Sequence, residues 1–216
     1  MFASQAHSFR QQARLSITLS WIAGYTNILT LLACGHGSSH MSGTASQLGR
    51  DVAEGKWRLA AFAGALLGCF VLGSMLSGAL TEWGKHRRWA SIYVLPMAVE
   101  AALLAAFALI LHRHSPQSPD GGALEVWSTL LPAMAMGLQN ATITRISGGV
   151  VRTTHVTGVL TDFGMESALW WLRRWWGPAS VRADRGGFAS SERLLLLASI
   201  LGSFAAGAAL GTLAFH

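Results

Sequence analysis

Five stretches of this 216-residue chain are long and apolar enough to cross a bilayer: residues 15–34, 59–80, 90–111, 126–143 and 194–215. A hydrocarbon core of about 30 Å takes roughly 20 residues of helix. No water is present there to satisfy backbone N–H and C=O groups, so a crossing segment must be helical or part of a closed barrel. Runs of this length without strand alternation select the helix. Composition agrees, since 51% of the residues are apolar and only 12% are charged, too hydrophobic for a soluble domain of this size. The expected fold is all-α, a polytopic transmembrane helical bundle of about six to seven helices. It forms a single membrane domain over residues 1–216. The tail before Leu15 and the loop 177–192 are too short to fold alone.

Duplication is the second constraint. Ser39-His40-Met41-Ser42-Gly43 returns as Thr154-His155-Val156-Thr157-Gly158, and each copy leads from an apolar segment into a Gly-containing helical one. Gln47-Leu48-Gly49 matches Asp162-Phe163-Gly164, and Ala23-Gly24-Tyr25-Thr26-Asn27 matches Met136-Gly137-Leu138-Gln139-Asn140. Gly64 and Gly68 echo Gly207 and Gly211. Repeat one therefore covers about residues 15–80, repeat two about 126–215, and 90–111 is a linking helix. Transporters commonly carry such internal repeats. An old duplication that keeps only helix-packing residues is the alternative.

Charge orients the chain. Lys85-His86-Arg87-Arg88 is the densest basic cluster, and Arg10 and Arg14 precede the first window. Short loops rich in Lys and Arg stay cytoplasmic, so both belong inside, and the loop 113–125, with Pro116, Pro119 and Asp120, lies outside. Segments 39–55 and 154–176 are less apolar, carrying Arg50, Asp51 and Glu54 or Asp162, Glu166, Arg173 and Arg174. If each enters and leaves on one side as a half-helix, Arg145, Arg152, Arg173, Arg174, Arg182 and Arg185 also fall inside. Only Arg50, Lys56 and Arg58 are then misplaced. Windows one and four run oppositely in that arrangement, so the repeats are inverted about an axis in the membrane plane. Spanning motif helices would instead make the repeats parallel and put one basic cluster outside. The charge rule favours inversion. The net charge of +6 thus reads as topology and calls for no nucleic acid. The expected partner is the lipid bilayer, with multi-pass placement in a bacterial inner membrane. Cys34 and Cys69 lie in apolar windows and form no disulfide framework.

Several residues could carry chemistry. His40 and His155 stand just before Ser42-Gly43-Thr44 and Thr157-Gly158. Ser42 and Thr157 are good N-caps, and the free N–H groups of a broken helix attract an anion. Glu100 lies in the middle of an otherwise apolar window, where an ionisable group costs about 3 kcal/mol or more and calls for a partner; the histidines are the expected one. Asn27, Gln139 and Asn140 could line a cavity or bond helices together. Asp162 completes the substrate-binding set. Neither a metal, nor a cofactor, nor a catalytic constellation is expected, because no dense His/Cys/Asp spacing and no nucleophile elbow occurs. Gly64/Gly68 and Gly207/Gly211, with Gly73, Ser77 and Ser203, are expected to pack the repeats together and could also support a homo-oligomer. Trp170, Trp171, Trp175 and Trp176 mark an interfacial belt.

At these residues the chain resembles the YoaK-like family of bacterial integral membrane proteins, a domain of unknown function. The likeness rests on Ala23-Gly24-Tyr25, Ser39-His40-Met41-Ser42-Gly43 with Leu48-Gly49, Ala135-Met136-Gly137-Leu138-Gln139-Asn140-Ala141, and Val151-Arg152-Thr153-Thr154-His155-Val156-Thr157-Gly158 with Leu160-Thr161-Asp162. Members usually have Asp at the place of Asn27 and Thr-Gly-Asn at the place of Ser42-Gly43-Thr44, which puts a proton or cation role for those positions in doubt. The resemblance implies about six membrane helices and no established substrate. The leading functional reading is a small permease-like carrier of a small polar or anionic solute, with a proton-linked form. A non-transporting scaffold or accessory protein is the rival, and an intramembrane enzyme the third reading.

Overall fold

The computed structural model describes residues 9–89, 91–113, 123–147, 155–176 and 190–216. Among them it is all-α: α1 Phe9–Cys34, α2 Met41–Ala53, α3 Trp57–His86, α4 Val94–Arg113, α5 Ala123–Ile146, α6 Val156–Trp176 and α7 Ser190–Phe215. Four of these, α1, α3, α4 and α7, are long and apolar enough to cross a membrane among the described residues. The sequence suggested α5 as a fifth, and its place in the bundle explains the difference. It packs between α1, α3 and α4, with Ala135, Met136, Leu138, Gln139, Thr142 and Ile143 buried. A helix covered by protein needs no lipid-compatible surface.

Hydrogen bonds between helices fix their directions. Gln139 donates from Nε2 to the Leu19 carbonyl at 2.9 Å, and Gln12 does so to the Ile146 carbonyl at 3.3 Å. As α1 rises, α5 falls, so the two are antiparallel. The Ser203 hydroxyl donates to the Ile17 carbonyl at 2.7 Å, and Gly211 packs by Tyr25 further along, so α7 runs parallel to α1. Ser74 donates to the Gly137 carbonyl at 3.0 Å, and Ser77 bonds Thr142 at 2.8 Å, so α3 runs parallel to α5. Hence α1 and α3 oppose each other, and α2 between them makes no net crossing. The same holds for α6 between α5 and α7. One end of the bundle collects Arg14, Lys85, Arg88, Arg145 and Arg193, and is called the basic end below.

Packing follows the order α2, α3, α5, α1, α7, α6, with α4 laid on α5 and α3. Glycines set the two long interfaces. A methyl added at Gly24 would strike the Phe204 carbonyl, and one at Gly207 would strike that of Trp21. Likewise Gly137 meets Phe70 and Gly73 meets Met134. Trp21 corresponds to Met134 and Gly24 to Gly137, at one constant offset in sequence; Phe70 corresponds to Phe204 and Gly73 to Gly207, at another. Such closeness suits lipid, where packing and Cα–H···O contacts hold helices together. The expected role of Gly64 and Gly68 is corrected. Both face open space, and Gly73 and Ser77 occupy the places that answer to Gly207 and Gly211. In a helix rich in Ala and Gly, short strings match in more than one register.

Candidate functional site

Asn27 is where the first motif is anchored. Its Oδ1 accepts bonds from the Ser39 backbone N–H at 3.1 Å and the Ser39 hydroxyl at 2.9 Å. Two donors on Oδ1 fix the amide orientation, so Nδ2 donates to His40 Nε2 at 3.3 Å. Nε2 must then be an acceptor, which requires the neutral ring with its proton on Nδ1. Local backbone chemistry makes this possible. Gly35, at φ 71°, ends α1 in the left-handed region while its N–H bonds the Leu31 carbonyl at 2.9 Å. The chain turns back along α1, and Gly37 lies so close to Asn27 Oδ1 and His40 that a methyl would crowd both.

Depth follows from this anchoring. Asn27 lies seven residues before the end of α1, about 10 Å at 1.5 Å per residue. The first turn of α2 therefore starts inside the span of α1 and returns over about 20 Å to the turn at Glu54 and Lys56. α2 is thus short, and the chain enters and leaves it toward the same end of the bundle. The expected caps are corrected: His40, not Ser42, is the N-cap, and it makes no side-chain cap bond. The His40 carbonyl accepts the first helical N–H, that of Thr44, at 3.0 Å. His155 repeats the geometry in α6, accepting from Val159 at 3.0 Å, so Thr157 likewise lies inside the helix. His40, Ser42, Gly43, His155, Thr157 and Gly158 are exposed, Asp162 is half-buried and Thr44 is buried. Thr153 and Thr154, the basic residues Arg152, Arg182 and Arg185, and the loop 114–122 lie outside the described residues.

The two motif starts do not form one pocket. Among the described residues α2 and α6 share no packed interface. The register of α1 on α5 supplies the reason. It centres near Ala23, Ala135 and Met136, a fully buried cluster. Asn27 lies beyond that centre towards the far end, and its counterpart Asn140 towards the basic end, roughly 13 Å apart along the helix axes. Because α1 and α5 are antiparallel, residues beyond their crossing on each helix move to opposite ends of the bundle.

Glu100 is buried in α4 and has no hydrogen-bond partner among the described residues. The expected pairing with a histidine is corrected. Glu100 shares a stripe of α4 with Leu104, Phe107 and Leu111, and these last three line a groove of about 910 Å³ with Tyr25, Thr26 and Leu29 of α1 and Phe215 of α7. At helical spacing Asn27 lies on the other side of α1, so α4 and the start of α2 take opposite faces. Gln139 bonds helices, and Asn140 is buried beside it.

Sequence reasoning passed over Gly37 and Ser38, and it named Ser39 and Asp51 without giving them a place in the site. Ser38 is fully buried in the turn before His40, and its hydroxyl has no partner among the described residues. The side chain of Asp51 is also fully buried, with Oδ1 3.2 Å from Arg50 Nη2 and Oδ2 unpartnered. The run Gly35-His36-Gly37-Ser38-Ser39 was the available signal, since short polar residues between glycines mark a tight, hydrogen-bonded turn. Among the described residues no group of His, Cys, Asp and Glu could hold a metal ion.

The model of one protein family, described as protein of unknown function (DUF1275), matches residues 15–216. That agrees with the resemblance carried by the duplicated motifs. No curated protein and no solved structure matches the chain.

Proposed function

This chain belongs to the DUF1275 family of proteins of unknown function, and we propose that it is a small carrier built from two inverted repeats. Its place is a bacterial inner membrane, with the basic end cytoplasmic. Repeat one is α1 to α3, repeat two α5 to α7, and α4 links them. The observation that carries the reading is the first turn of α2. It begins within the span of α1, held there by Asn27, and exposes His40, Ser42 and Gly43 with no side-chain cap. Irregular backbone at membrane depth is stable only against protein or water. An uncapped helix start there offers N–H groups to a small polar or anionic solute, and the unpartnered Ser38 hydroxyl adds a further donor or acceptor. α6 likewise starts at a histidine whose carbonyl takes the first helical N–H, toward the other end of the bundle, which suits a solute handed from one side to the other.

A thermal-shift screen of the purified protein against small acids, amines, sugars and nucleosides tests this, because a ligand stabilises by mass action whatever its chemistry. The reading expects a solute whose shift is lost in His40→Ala and reduced in Ser42→Ala. A shift that survives both substitutions, or none across the library, overturns it.

A further inference from the structure

The two halves of the bundle are alike in pairing but not in closure. Ile22 and Leu29 of α1 are half-buried and line the open groove beside α7, with Thr26, at 5% exposure, on its floor. Their counterparts on α5, at the constant offset that relates Gly24 to Gly137, are Ala135, Gln139 and Thr142, all at 1% exposure or less. Gln139 and Thr142 bond Leu19 of α1 and Ser77 of α3, and α4 lies differently over the two halves. Its first turns close the basic half, where Tyr93 and Met97 pack into the cluster of Ile143 and Ile146. Its last turns, Phe107 to His112, stand off from α1 and α7 and leave the far half open. Among the described residues α4 has packed interfaces with α5 and α3 and no comparable one with α1 or α7. Leu103 and Leu104 lie between these halves, over the Ala23 and Ala135 cluster where the axis passes.

We propose that α4 rocks about Leu103 and Leu104 between two equivalent grooves, so that the structure has a partner state with the far groove closed on α1 and α7 and the basic groove open on α5 and α3. The occupant of the open groove is thus α4 itself. Related surfaces on the two repeats offer the same helix near-equal seats, and near-equal seats make a bistable element. The inference rests on the inverted-repeat part of the carrier reading and supplies its alternation. It does not depend on which solute is carried.

Paired spin labels on the full chain in lipid nanodiscs test it without any ligand. Leu109 and Leu213 flank the far groove and Val94 and Ala79 the basic one, and all four are exposed, so labels there leave the packing intact. Two distance populations are expected at each pair. In the second population the far pair is closer and the basic pair wider, each by several ångström. The double variant Thr26→Gln, Gln139→Thr exchanges one pair of counterparts and should raise the weight of that population. A single unmoved distance at both pairs in both proteins overturns the proposal, and so does a change of the same sign at both. A failed solute screen would sink the carrier reading and leave this result standing.

Discussion

Gly137→Ala should loosen the bundle where Gly64→Ala should not. At Gly137 the added methyl falls on the backbone carbonyl of Phe70, far inside van der Waals distance, and a carbonyl held in a helix cannot rotate away. α3 and α5 must part until the contact approaches the roughly 3.5 Å that carbon needs. Overpacking of this kind costs about 1–3 kcal/mol, and two Cα–H···O contacts at this interface add about 0.5–1 kcal/mol each when lost. Alanine recovers about 1 kcal/mol of helix propensity. The net loss is about 1–4 kcal/mol. For a chain of this size that lowers the melting temperature by roughly 2–4 °C per kcal/mol. Gly64 faces open space, so its substitution keeps only the propensity gain. Melting of both variants in the same detergent, followed by tryptophan fluorescence, gives the comparison. Equal melting temperatures would refute the reasoning, and so would a Gly64→Ala variant that melts lower.

Asn27→Ala removes three hydrogen bonds at about 0.5–1.5 kcal/mol each, so hydrogen exchange should rise across residues 36–44 and stay unchanged in α3. Asn27→Asp turns the Nδ2 donor into an acceptor, and histidine NMR should show the His40 proton moving to Nε2. Gly35→Ala forces a Cβ into the left-handed region at φ 71° and should cost about 1 kcal/mol, read as a lower melting temperature. The Glu54 carboxyl is held below its ordinary value by its hydrogen bond to Lys56, so any stability it lends is present above its unfolded value and fades as pH falls. It is fully exposed and screened, and Glu54→Gln should melt with the parent at pH 7 and at pH 5.

Helix boundaries were legible because burial in lipid demands long apolar runs, and every expected element appears within a few residues of its place. The lower apolarity of residues 39–55 and 154–176 also marked α2 and α6 as unlike the long apolar helices. What escaped was anything set by contact between distant segments. Gly73, not Gly64, proved to hold on α3 the place that Gly207 holds on α7, because only the register of α3 on α5 selects among similar glycines. Ser39 was visible as a hydroxyl, but its bond to Asn27 depends on a turn that doubles back along α1. The opposite depths of Asn27 and Asn140 follow from the antiparallel packing of α1 on α5, which no local run of residues reports.

The central claim is that α2 enters and leaves on one side, so that α1 and α3 oppose each other. Single cysteines at Gln11, Glu54 and Lys85, in a background lacking Cys34 and Cys69, test it directly with an impermeant thiol reagent. The account predicts labelling at Glu54 in intact cells, and at Gln11 and Lys85 only after permeabilisation. Labelling of Gln11 and Lys85 from opposite sides would contradict it, since that requires α2 to cross.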